Sequence, residues 1–73
     1  MIRTLTAIIH REGDGYVALC PEVDVASEGE SIDSARENLR EALQLFFEVA
    51  PQDEIDRRML SEVFVTHIEV NVS

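Results

Sequence analysis

Two histidines, one cysteine and fifteen acids are the side chains of this 73-residue sequence best equipped for chemistry. His10 and His67 are the candidates for proton transfer or metal ligation. His10 falls at the end of an N-terminal strand and His67 in the middle of a C-terminal one. No further ligand stands at a metal-binding spacing from either, so both are expected as surface or half-buried strand residues. Cys20 closes the apolar run Tyr16-Val17-Ala18-Leu19-Cys20 with no base beside it, which makes a buried, inert thiol the expectation rather than a nucleophile. Gly13 and Gly15 lead into a strand, whereas a phosphate-cradling glycine loop opens a helix. A two-metal nuclease site needs acids converging from several elements. Glu37 on a helix and Glu69 on a last strand are candidates, but no acid lies between Ile2 and His10, so the central ligand is missing. No catalytic, cofactor-binding or metal-ligating set emerges, and a non-enzymatic chain is expected.

The acids are more informative as a surface. From Glu12 through Ala35 stand Glu12, Asp14, Glu22, Asp24, Glu28, Glu30 and Asp33, with no base among them. Folding through a hairpin and two strands can gather several on one rim. One reading is a solvated rim that only keeps the chain soluble. The other is a docking surface for a basic partner, with rim charges setting on-rate and specificity. Tyr16, Glu22, Asp24, Glu28 and Glu30 are the candidate partner-binding residues.

Six bases, all Arg, leave a net charge of −9. A phosphate backbone is bound through clustered positive charge, so direct nucleic-acid binding by this chain is not expected. An anionic membrane surface is disfavoured for the same reason. No stretch approaches the apolar length of a membrane span, and Met1-Ile2-Arg3-Thr4-Leu5 does not open a secretory signal. With a free thiol, these features make the cytoplasm the expected compartment.

Four strands and one helix are expected to position these residues, in a single domain over 1–73. Residues 2–10 are rich in Thr and Ile and predict a first strand. Glu12-Gly13-Asp14-Gly15 predicts a hairpin turn. Residues 16–20 predict a second strand, ended by Pro21, and residues 23–28 a third, ended by Gly29. The first three form an antiparallel meander. Ser31 is a good N-cap, and Ile32, Ala35, Leu39, Ala42, Leu43, Phe46 and Ala50 recur at helical spacing up to Pro51. That is a helix over 32–49, about 27 Å long. Gln52 to Arg58 reads as a polar loop with room for one helical turn. From Glu62 to Val72 the residues alternate, with Phe64, Thr66, Ile68, Val70 and Val72 facing one way, which predicts a fourth strand. The expected class is α+β, in the order βββαβ, with one helix on a four-stranded sheet.

A chain this short buries only ~60% of its unfolded surface, and one cysteine excludes an internal disulfide. One helix covers one sheet face, yet both faces carry apolar side chains: Tyr16, Ala18 and Cys20 point one way and Val17 and Leu19 the other, and Ile8 points away from Leu5, Ala7 and Ile9. A partner chain is therefore expected: a copy of itself, in a dimer or tetramer, or another protein.

Three segments together carry a family resemblance: Tyr16-Val17-Ala18-Leu19-Cys20-Pro21-Glu22-Val23, then Ser27-Glu28-Gly29-Glu30-Ser31, then Ala35-Arg36-Glu37-Asn38-Leu39-Arg40-Glu41-Ala42-Leu43. The joint pattern resembles the HicB antitoxin family, over about Gly13 to Glu48. The resemblance implies a partial ribonuclease-H-like fold lacking that fold's catalytic acids. It also implies an antitoxin role in a type II toxin–antitoxin pair. The partner would be a HicA-type toxin, a small basic ribonuclease with a double-stranded-RNA-binding-like fold and a catalytic His, which HicB-like proteins cover. Many members add a C-terminal helix-turn-helix or ribbon-helix-helix domain. This sequence ends at Ser73 after the expected fourth strand, so autoregulation by direct operator binding is not expected of it. Two rival expectations stand beside it: an orphan oligomeric module that binds another protein or a small molecule, and a weak metal-dependent nuclease that keeps ribonuclease-H chemistry through Glu37 and Glu69.

Overall fold

A computed structural model describes residues 2–73. Its first element, β1 (Ile8–Glu12), turns through Gly13 and Asp14 into β2 (Gly15–Cys20). Gly13 takes φ 60°, a left-handed conformation that costs a glycine nothing. The strands pair antiparallel from Glu12 opposite Gly15 to Ile8 opposite Leu19. A second turn delivers β3 (Val25–Gly29), which pairs antiparallel with β2, and the sheet order is β1-β2-β3. The register aligns Ile9, Ala18 and Ser27 on one face and Ile8, Leu19 and Ala26 on the other.

Helix α1 (Ile32–Val49) covers the first of those faces. Ser31 and Ser34 form a reciprocal capping box: each hydroxyl accepts the other's backbone N–H, at 3.0 and 2.9 Å. The step from β3 into the helix is tight. A Cβ built on Gly29 would lie 2.5 Å from the Ala35 backbone nitrogen, so only glycine fits there. Ala35 and Leu39 are buried against Ala18, Cys20 and Val23, with Leu5, Ile9, Tyr16, Leu43, Phe46 and Phe47 packed around them. The helix lies chiefly over β3 and β2 and touches β1 least.

The meander and the 32–49 helix match the sequence expectation, but the four-stranded βββαβ architecture does not. The described residues form a three-stranded antiparallel sheet and two helices, in the order βββαα. Residues 52–58, expected as a polar loop, belong to α2 (Gln52–Met59). Asp53 and Glu54 in its first turn and Arg57 and Arg58 in its last suit the helix dipole, and a Gln52–Asp56 side-chain bond ties one turn to the next. Ile55 is buried and Met59 packs on the core, so two side chains one turn apart anchor this polar helix. Arg58 fastens it further, donating to the Val23 carbonyl and to Glu54 and lying over the Phe46 ring.

The expected fourth strand is likewise corrected. Residues 62–73 pair with nothing, because alternation makes a strand only where a neighbouring backbone supplies the ladder. A partial ribonuclease-H-like sheet, which needs that strand, is therefore not what the chain forms. Strand boundaries also move, and β1 runs past His10 to Glu12. Residues 2–7 carry no ladder pairing, and β1 begins at Ile8. Val23 and Asp24 lie in the second turn, where Asp24 takes φ 56°, a conformation that Asp tolerates through its short polar side chain.

Candidate partner-binding rim

The first hairpin and the end of β3 bring Tyr16 together with Glu12, Asp14, Glu28 and Glu30 around one shallow depression. Pairing places them: Glu12 lies opposite Gly15, Tyr16 opposite Gly29, and Glu28 opposite Val17. Tyr16 is half-buried, its ring resting on the core cluster. Its hydroxyl accepts a hydrogen bond from the Arg11 guanidinium at 3.0 Å, and that guanidinium also lies 5.3 Å from the ring centroid. Arg11 is thus held against Tyr16 while the four carboxylates stay exposed. His10 stands 3.4 Å from Glu12 on the same strand, also exposed. The Asn38 amide donates to the Glu28 carbonyl at 2.8 Å, fixing the rim's outer strand to α1.

Two candidates fall elsewhere. Glu22 and Asp24 lie in the β2–β3 turn, at the opposite end of the sheet. Asp24 is exposed there. The Glu22 carboxylate is engaged internally. It accepts the Thr6 backbone N–H at 3.2 Å, the Thr6 hydroxyl at 2.6 Å and the Cys20 thiol at 3.4 Å. Burial alone would raise the Glu22 pKa, but the bonds from Thr6, its own backbone and Cys20 outweigh it and leave the group below its ordinary value. Glu22 is a clasp that ties residues 2–7 to the second turn. Burial pushes the Cys20 thiol up, and the neighbouring Glu22 carboxylate adds to this against the Val23 backbone. A buried thiol held protonated has no nucleophilic character.

His67 is exposed on the tail. The Glu37 carboxylate is bonded to Arg40 at 2.8 Å and held below its ordinary pKa by that bond, and Glu69 lies exposed on the tail. Among the described residues no three His, Cys, Asp or Glu side chains gather as a metal site, and no helix is long and apolar enough to cross a membrane.

The reasoning from sequence gathered Glu12 and Asp14 into the acidic run but did not place them beside Tyr16. The hairpin register was the available signal. It also missed the other cleft, where Arg3 approaches Arg36 and Arg40 across Leu5, Leu43 and Phe47. There the four-residue step from Arg36 to Arg40, interleaved with Leu39 and Leu43, was the signal. No protein-family model, curated protein or solved structure matches this chain.

Proposed function

We propose that the chain is a non-enzymatic HicB-like antitoxin that captures a small basic HicA-type ribonuclease in the cytoplasm and covers its RNA-binding face. The observation that supports this reading best is the rim: four exposed carboxylates around a tyrosine whose nearest base is held against it. Charge of one sign on a firm hairpin end draws a basic protein in, and the half-buried ring offers an anchor at its centre. Inhibition would be steric. A chain of net charge −9 seated on a cationic RNA-binding surface excludes RNA and keeps the toxin's histidine from its substrate.

The residues behind the family resemblance play a different part. Ala18, Cys20, Val23, Ala35 and Leu39 all fall within the matching segments and all are buried. They make the frame, whereas binding is assigned to the rim. The test is co-expression with the small basic protein encoded next to this chain, following growth and co-purification in moderate salt. Rescue of growth with a stable complex is expected. A neighbour that neither poisons the cell nor binds would put the orphan-module reading ahead.

A further inference from the structure

The tail and the uncovered cleft beside β1 complement each other. Phe64, Ile68, Val70 and Val72 are 84, 85, 71 and 81% exposed, the largest run of bare apolar side chains among the described residues. Laid down as an extended strand, the tail would put its even-numbered residues on one face, and these four, with Thr66, would then form one apolar strip. Isolated exposed apolar residues need no explanation, but a contiguous strip does. A groove of about 680 Å³ runs between residues 3–7 and α1, on the side where the helix touches β1 least. Its floor is apolar, with Leu5, Leu43 and Phe47, and its rim carries Arg3, Arg36 and Arg40, half the arginines of the chain.

Charge selects the occupant. The segment from Ser61 to Ser73 carries Glu62 and Glu69 and no Lys or Arg, whereas the groove rim is the cationic part of an acidic molecule. Arg40 is paired with Glu37, and Glu48 also lines the groove. Arg3 and Arg36 form no salt bridge among the described residues. A second copy of this chain therefore offers an apolar strip flanked by acids to an apolar floor flanked by bases. No tail residue lines its own chain's groove, and α2 is fastened through Arg58 to the Val23 carbonyl, so the tail leaves the body from a fixed root. The opposite sheet edge is less open, because Asn38 already bonds the Glu28 carbonyl of β3.

We infer that two copies exchange their tails, each laying Phe64, Ile68 and Val70 into the groove between residues 3–7 and α1 of the other. The exchange is reciprocal, so it closes as a two-fold dimer and leaves neither strip nor groove bare. It gives a 73-residue chain the added burial that its size demands. The acidic rim lies at the hairpin end, away from the groove, so the inference does not rest on the antitoxin reading.

The test uses the full chain in two measurements. Light scattering after size exclusion is expected to give twice the 8.2 kDa chain mass. Ile68→Asp is expected to weaken association by at least about a hundredfold, since a dimer then sets two carboxylates on the apolar floor made by Leu43 and Phe47. Its helical circular dichroism should be unchanged, because Ile68 is 85% exposed within one chain and lies outside both helices. In an equimolar mixture of carbon-13-labelled and unlabelled protein, filtered NOEs are expected between Ile68 methyls of one copy and Leu43 or Phe47 of the other. A monomeric wild-type chain would overturn the exchange. So would a dimer unaffected by Ile68→Asp, or tail-to-groove NOEs found only within a chain.

Discussion

Glu22 looks like one more acid in an acidic run, yet it accepts hydrogen bonds from both the backbone and the hydroxyl of Thr6 and from the thiol of Cys20. Glu22→Ala should therefore cost about 1–3 kcal/mol of stability, measurable by urea unfolding. The pH dependence follows from its lowered pKa. The folded chain holds the carboxylate below the ordinary 4.5, so the stabilisation is present above that value and is lost as pH falls through the depressed one. Wild type should lose stability more steeply than Glu22→Ala between about pH 5 and pH 3. Equal slopes would show that the clasp contributes nothing in solution. Cys20 works in the other direction. Its pKa is raised above 9.0, so burial of the neutral thiol favours the fold below that value, and the benefit is lost as pH rises through the folded pKa. At pH 8 alkylation of Cys20 should proceed only as fast as the chain opens, and a rate matching that of a free thiol would contradict the burial. The inert thiol was legible from its apolar run. The clasp was not, because Thr6 and Glu22 lie sixteen residues apart and only the strand register brings them together.

At the scale of elements, α1 was legible residue by residue, since an N-cap serine, a seven-residue apolar stripe and a terminating proline agree along Ser31–Pro51. Ser31→Ala should cost about 1 kcal/mol, a loss read as a lower midpoint of thermal or urea unfolding. The helix entry is more demanding. Gly29→Ala places a methyl against Ala35 and Ser34, and should cost about 1–3 kcal/mol because the contacted atoms include backbone. An unchanged midpoint would mean that the β3–α1 step is looser than described. The α2 helix escaped the periodicity argument because only Ile55 and Met59 of its eight residues reach the core. It is held by those two side chains on the core, by its end charges, and by Arg58, whose bond to the Val23 carbonyl runs to another part of the chain. The tail failed for the opposite reason. Its alternation is clear from Glu62 to Val72, but a strand is a property of two backbones, and a single sequence names only one of them.

For the whole molecule, charge was legible and its arrangement was not. A balance of −9 weighs against a phosphate-binding surface on simple counting, while the gathering of Glu12, Asp14, Glu28 and Glu30 at one end and of Arg3, Arg36 and Arg40 along one groove depends on the fold. Neutralising the four rim acids together should slow capture of a basic ribonuclease by about tenfold or more at low salt and flatten its salt dependence, as followed by stopped-flow fluorescence. The same change at Glu22 and Asp24, at the far end of the sheet, should leave the on-rate alone. Capture is one step short of inhibition, which is the central claim. The most direct measurement is RNA cleavage by a small basic ribonuclease of the HicA type, titrated with the purified chain. Cleavage is expected to fall in proportion to the amount added and to stop at one chain per ribonuclease. Cleavage that continues undiminished at large excess would contradict an antitoxin role outright.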